Sequence, residues 1–261
     1  YVNDNPHLGS TYTTIACDAL ARYHRMQEEE VVFITGVDEH GQKIQRTANS
    51  RQLEPQLHCD LISQKYKRLW SDNNISYDCF IRTTDNEHKE LVYQFYNRVY
   101  DSGDIRIGQQ KGWYCVGCEE YKDYPQTEKS PKCNIHNKFL EWRDEENLFF
   151  CLSKYQKDIE RLLENKDYIM PAERKNEITN FVKQGLRDFS ISRPNVKWGI
   201  KVPGMPDHTF YVWFDALVGY LSGLHKEQNK TPIDITNLKS MGWPATVHLI
   251  GKDILRFHSV Y

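Results

Sequence analysis

Apolar positions along this chain switch between helical and strand spacing, and the switches divide it into three stretches. In residues 11–25, Ile15, Ala16, Ala19, Leu20 and Tyr23 recur at helical spacing and predict a helix with an apolar face. Val31-Val32-Phe33-Ile34-Thr35 is short and β-branched, as a strand buried on both faces should be. It empties into Gly36-Val37-Asp38-Glu39-His40-Gly41, and a polar helix follows from Gln42. Residues 61–69 read as helix, 79–81 as a short strand, and 86–100 as a helix with Leu91, Val92, Phe95, Val99 and Tyr100 on one face. Helix, strand, helix, helix, strand, helix predicts a parallel sheet with helices on its faces. Ligands bind such sheets beyond the carboxyl ends of the strands, which is where the loops 6–10 and 36–41 belong.

The pattern changes near Ile105. To about Pro206 the strands are shorter and turn residues more frequent, with helices over 154–164 and from Pro171 to Val182 and strand pieces at 190–193 and 197–200. This predicts an inserted α+β domain. The first pattern then resumes: a strand or strand end at 210–214, a short helix over 215–224, a polar surface excursion over 225–240, a buried strand at 246–250, and a loop, Gly251-Lys252-Asp253, at its carboxyl end. The predicted domains are therefore 1–104, 105–206 and 207–261.

Composition narrows the class. Apolar residues are 39% and charged residues 27%, and the net charge of −2 argues against a strongly basic protein that coats nucleic acid. The longest apolar run, 210–224, is interrupted by Asp215, Gly219, Ser222 and Gly223, so no membrane span is expected. There is no signal peptide pattern. The chain opens at Tyr1 and stops inside an apolar pattern over 254–261, and it reads as a piece of a longer protein.

Seven cysteines favour a reducing compartment over a disulfide framework. Cys115-x2-Cys118 and Cys133-x2-His136 have the spacing of a structural zinc knuckle about residues 111–140, with four protein ligands and no open position for water. Cys17, Cys59, Cys79 and Cys151 lie in apolar patterns and read as packing residues.

Pro6-His7-Leu8-Gly9-Ser10 has the makings of a phosphate trap. His7 can donate to a phosphate oxygen, Gly9 lets a flat ring lie on its backbone, and Ser10 is expected to cap a helix whose free N–H groups face the same spot. The same pattern also describes a plain capped helix start.

Several stretches together resemble a known family. Tyr1 to Ser10 looks like the "HIGH" region of class I aminoacyl-tRNA synthetases, with Ser10 in place of the last His. Gly36 to Gly41, the segment Phe210-Tyr211-Val212-Trp213-Phe214-Asp215-Ala216-Leu217-Val218-Gly219-Tyr220, and Ile250-Gly251-Lys252-Asp253-Ile254-Leu255-Arg256-Phe257-His258 are similar to segments of the methionyl-tRNA synthetases, in the same order. The single Cys3His knuckle resembles the bacterial and organellar branch. The resemblance implies an α/β fold: a Rossmann-like parallel sheet, the class I synthetase catalytic core, interrupted by an inserted α+β connective domain with the knuckle. The family's "KMSKS" loop and anticodon-binding domain are not in this sequence, which implies that residues 1–261 alone are nearly inactive.

The family implies a methionine–tRNA ligase that forms methionyl-adenylate from methionine and ATP with Mg2+, then charges tRNA(Met). By resemblance His7, Gly9, Ser10, Gly251, Lys252 and Asp253 would bind ATP, with His7, Ser10 and Lys252 acting in catalysis. Asp38 would hold the methionine ammonium. Tyr1, Trp213, Ala216, Leu217, Tyr220, Ile254, Phe257 and His258 would form the methionine pocket. Arg187 and Arg193 either meet the acceptor end of tRNA or pair with carboxylates. A bacterial form would be cytoplasmic, and a eukaryotic organellar form mitochondrial or plastidial. Monomer and homodimer both stay open. The rival readings are another class I synthetase and a non-catalytic truncated paralogue that binds methionine or tRNA.

Overall fold

A computed structural model of the chain describes residues 1–227 and 235–261. The chain opens with helix α1 (Leu8–Met26), strand β1 (Ile34–Val37), helices α2 (Gln42–Ser50) and α3 (Pro55–Asp72), strand β2 (Cys79–Arg82) and helix α4 (Asn86–Asp101). β1 and β2 pair in parallel from Ile34 opposite Cys79 to Val37 opposite Arg82. Strand β1 starts later than the apolar run suggests. Asp78 causes this: its carboxylate accepts from the Phe33 N–H at 2.6 Å, and its own N–H donates to the Phe33 carbonyl at 2.8 Å, closing the ladder there. Val37, the last paired residue, immediately precedes Asp38, so the loop leaves from the strand's carboxyl end.

Helix α1 also differs from its pattern. Ile15, Leu20 and Tyr23 are exposed, while Thr14, Asp18 and Ala21 are buried. Polar bonds set the roll of this helix. Asp18 accepts from the Ser76 N–H and hydroxyl, both at 2.6 Å, and Arg25 donates to Asp78 at 2.7 Å. The N-cap is His7 and not Ser10. The His7 ring accepts from the Gly9 N–H at 3.1 Å, and Ser10 reaches back to accept from the His7 N–H at 3.2 Å, a reciprocal capping box.

From Ile105 the chain forms a long antiparallel ribbon, β3 (Ile105–Cys115) against β5 (Glu141–Phe150), flanked by β4 (Glu120–Lys122) and later by β6 (Phe189–Ser190). Helices α5 (Gln156–Glu164) and α6 (Ala172–Lys183) lie between β5 and β6, and their core includes Leu163, Ile178 and Val182. Ile191 then donates to the Leu148 carbonyl, and the chain crosses into a second sheet of β7 (Ser192–Pro194), β8 (Lys201–Val202) and β9 (Met205–Phe210), ordered β7-β9-β8. The largest core joins α4 (Leu91, Val92, Tyr96) to Leu148, Ile191 and Phe210 of the sheets and to Phe214 and Leu221 beyond them.

Residues 211–214 are not strand. β9 stops at Phe210, and helix α7 (Val212–Ala216) begins at once because the Phe214 and Asp215 N–H groups both donate to the Tyr211 carbonyl. All five residues of α7 are buried. Helix α8 (Gly219–Glu227) lies across the parallel pair; a Cβ at Gly223 would fall 2.4 Å from Ile34, so only glycine permits this approach. The expected strand at 246–250 forms no ladder among the described residues; the segment passes beside α1, with the Leu249 backbone against Cys17. The parallel sheet is thus a single pair among the described residues. The expected excursion over 225–240 lies partly outside the described residues. A final 3-10 turn, Lys252–Ile254, leads into α9 (Leu255–Ser259).

Candidate active site

A cavity of about 280 Å³ opens at the carboxyl end of β1. Its walls come from six separated stretches: Ser10, Thr13, Thr14 and Cys17 of α1; Phe33 to Asp38; Tyr66 and Trp70 of α3; Ile81 and Thr83 at the end of β2; Trp213, Ala216, Leu217, Gly219 and Tyr220; and Leu249, Ile250, Gly251, Ile254 and His258. The loop 36–41 is held in place by residues that turn inward from it. Glu39 is fully buried and accepts from Arg82 at 2.9 and 3.1 Å and from the Thr84 hydroxyl, and its N–H donates to Thr83 at 2.9 Å. His40 is bonded to Asp215 of α7 at 2.9 Å, and His88 approaches the other Asp215 oxygen at 3.5 Å. Burial alone would raise the Asp215 carboxyl, but the two imidazoles outweigh it and hold it below its usual range. This buried anion fixes α7 to the strand-end loop. Asp38, directly before these anchors, is left half-buried on the cavity wall.

Another part of the wall is aromatic. Trp213 stacks on Phe257 with centroids 4.1 Å apart and planes 7° from parallel, and Tyr1 meets Trp213 edge-on at 6.0 Å. Tyr220 and His258 are bonded at 2.7 Å, and the other His258 nitrogen lies 2.9 Å from the Ile254 carbonyl. A neutral His258 donating to that carbonyl leaves Nε2 as the acceptor of the Tyr220 O–H. Burial pushes His258 below its ordinary pKa and Tyr220 above its own, so both stay uncharged near neutral pH. Tyr1 Oη and Trp213 Nε1 are buried with no hydrogen-bond partner among the described residues.

Ser10, Asp38, Trp213, Ala216, Leu217, Tyr220, Gly251, Ile254 and His258 therefore line one cavity. Tyr1 and Phe257 stand behind them, against Trp213. His7, Gly9, Lys252 and Asp253 are exposed and do not line it; His7 and Gly9 begin α1, and Lys252 and Asp253 form the turn before α9. Thr13, Thr14 and Cys17 escaped sequence reasoning, although their three- and four-residue spacing from Ser10 marks one face of α1. Arg193 is buried, donates to Ser190 and Ser192 and lies over the Tyr211 ring at 4.1 Å, so it faces the interior and not a nucleic acid.

A second cluster sits at the far end of β3. The Sγ atoms of Cys118 and Cys133 are 3.6 Å apart, and the His136 Nδ1 lies 3.8, 3.4 and 3.6 Å from the sulfurs of Cys115, Cys118 and Cys133. A tetrahedron with ordinary Zn–S and Zn–N bonds has edges of about 3.5–3.8 Å, so four soft donors already span a zinc-sized site. Gly117 is required there: a Cβ would fall 2.8 Å from the His136 ring.

The family model for class I (M) tRNA synthetases matches residues 1–126 and 122–261. The chain belongs to the class I (M) tRNA synthetases. Over its whole length it is 54% identical to the methionine–tRNA ligase of Synechocystis and 52% identical to the chloroplastic/mitochondrial methionine–tRNA ligase of Arabidopsis thaliana, covering 49% and 42% of those proteins. A crystal structure of the Mycobacterium tuberculosis methionyl-tRNA synthetase bound by methionyl-adenylate superimposes with a TM-score of 0.90 at 38% identity, over the whole chain and 52% of that structure. The free state of the same enzyme superimposes at 0.78. As a class I (M) synthetase chain, this sequence spans about half the length of the curated relatives it matches. No helix among the described residues is long and apolar enough to cross a membrane.

Proposed function

We propose that this chain is the methionine-activating part of a methionine–tRNA ligase. One observation carries the reading: Asp38 and an apolar, aromatic wall built on Trp213 line a single cavity together with Ser10 of the first turn of α1. Methionine has a charged ammonium and an apolar, polarizable thioether, and that pair of walls suits both. Asp38 takes the ammonium. Trp213, Ala216, Leu217, Tyr220, Ile254 and His258 enclose the side chain, with Tyr1 and Phe257 supporting Trp213.

The carboxylate of methionine then points toward the start of α1. There ATP is held by His7, Gly9, Ser10, Gly251, Lys252 and Asp253, with Mg2+ neutralising the β- and γ-phosphates when bound. A methionine carboxylate oxygen attacks the α-phosphorus in line; the new O–P bond forms as the bond to pyrophosphate breaks. No protein nucleophile is needed, so catalysis is positioning and charge stabilisation by His7 and Lys252. The methionyl group passes in a second step to tRNA(Met). The Cys3His cluster holds a structural Zn2+, and the segments 1–104, 105–206 and 207–261 act as catalytic half, connective insert and returning catalytic half. The activity belongs in a bacterial cytoplasm, a plastid or a mitochondrion, a reading supported by the likeness to a bacterial and to a chloroplastic/mitochondrial ligase.

Methionine-dependent exchange of pyrophosphate into ATP by the full-length protein tests this. Methionine is expected to drive exchange; exchange without amino-acid dependence, or none, would reject the ligase reading.

A further inference from the structure

Glu119 follows the cluster cysteine Cys118 directly, yet its side chain leaves the knuckle. Its backbone is left-handed, with φ 56°, a conformation uncommon for a residue with a Cβ, and its residue is 4% exposed. One carboxylate oxygen accepts the Lys43 N–H at 2.8 Å, in the first turn of α2. The other accepts the Tyr114 hydroxyl at 2.6 Å, and the Glu119 carbonyl accepts the Tyr211 hydroxyl at 2.6 Å. Arg193 lies over the rings of both tyrosines, at 5.6 and 4.1 Å.

Two of these bonds, those from Lys43 and Tyr211, land on segments that lead to walls of the cavity. Helix α2 has no side-chain cap of its own and no acid in its first turn; its N-cap is Gly41, three residues after Asp38. Glu119 supplies that missing acceptor and negative charge from 76 residues away. The fit is close: a Cβ at Gly41, which has φ 108°, would fall 3.0 Å from the Glu119 carboxylate. Tyr211 in turn starts α7, two residues before Trp213, and its carbonyl accepts the first helical N–H groups there.

We infer that Glu119 is a positioning residue for methionine binding, a strut that seats the Asp38 loop through α2 and the Trp213 wall through Tyr211. It touches no substrate. Its carboxylate binds the N-terminus of α2, its carbonyl holds the tyrosine before α7, and its attachment beside Cys118 keeps both in register. The inference rests on the methionine reading above for its ligand, but not for its geometry.

The test uses the full-length, metal-loaded protein with Glu119→Ala and Glu119→Gln. Ala removes both carboxylate bonds and leaves buried donors unpaired, so methionine binding, read by titration calorimetry, is expected to weaken about tenfold. The methionine KM should rise with little change in kcat. Gln keeps an oxygen for the Lys43 N–H and should recover most of the loss. Exchange of the Lys43 amide with solvent should speed up in the Ala variant, while zinc content stays at the wild-type level. Wild-type affinity and a protected Lys43 amide in Glu119→Ala would overturn the inference, as would loss of zinc in step with the loss of methionine binding. If Glu119→Ala does not fold, Tyr211→Phe removes the second connection alone; unchanged methionine affinity there overturns the inference equally. A wild-type protein that binds no methionine but whose Lys43 amide still depends on Glu119 would reject the methionine reading and leave the strut standing.

Discussion

The knuckle and the cavity are built in opposite ways. The knuckle takes its four clustered donor side chains from residues 115–136, and the turn chemistry, Gly117 included, is local. The cavity draws its walls from positions as far apart as Ser10 and His258, and each wall is set by packing against something else. A local site is fixed by spacing and fails as a unit. A site assembled from distant segments depends on the struts behind its walls, such as Asp215 between His40 and His88, and it fails by degrees.

The largest effect should come from breaking the knuckle. Binding of structural zinc is worth on the order of 10 kcal/mol in small knuckles, so Cys118→Ser or His136→Ala should release the metal, read as a fall from about one zinc per chain. Amide exchange near residues 133–138 should accelerate while the β1–β2 ladder keeps its protection. Loss of protection in both at once would mean that the two regions are one cooperative unit and would break the comparison.

Next is the centre of the aromatic wall. Trp213→Ala should cost about 3–5 kcal/mol in denaturant unfolding, because Phe257 and Tyr1 lose their shared packing partner. Trp213→Phe should cost much less, and equal losses would mean that the stacking geometry is not what the wall depends on. A smaller effect is expected at Gly36. A Cβ there would meet the Ile81 carbonyl at 2.4 Å, so Gly36→Ala should destabilise by about 1–3 kcal/mol, and a neutral result would show that the strands can part.

The smallest effect concerns pH. Burial lowers the pKa of His58, His208, His248 and His258 below the ordinary 6.5. The unfolded chain then takes up protons before the folded one, so stability is full above pH 6.5 and falls as pH drops through the folded values. Asp104, which Lys154, Tyr155 and Ser102 hold down to about 2, acts in a separate window: its contribution is present above the unfolded value of 3.8 and lost toward pH 2. His258→Gln should therefore flatten the dependence of Tm on pH just below 6.5 and leave the acid limb unchanged. An unaltered slope would mean that His258 is not titrating with folding.

These contrasts also explain what could be read from the sequence. The clustering of Cys115, Cys118, Cys133 and His136 follows from spacing alone, because all four lie in one short local segment. The helices over 86–100 and 154–164 follow from periodicity. Helix α1 exposes the limit: its apolar residues outnumber its buried ones, and Asp18 and Arg25, bonded to Ser76 and Asp78, decide which face turns inward. The segment 246–250 has strand composition but no ladder partner among the described residues, a fact that no local pattern carries. Trp213 as a cavity wall rests on resemblance, since an aromatic residue at helical spacing packs a core just as well. Glu119 has no local signal at all, because the helix it caps lies 76 residues earlier.

The central claim is that Asp38 and the Trp213 wall select methionine. Pyrophosphate exchange by the full-length protein, run in parallel with methionine, leucine, isoleucine, valine and homocysteine, tests it most directly. Methionine is expected to give the highest kcat/KM, ahead of leucine, isoleucine and valine, and Asp38→Ala is expected to abolish exchange with all of them. Exchange driven mainly by leucine, isoleucine or valine, or left intact in Asp38→Ala, would contradict the account.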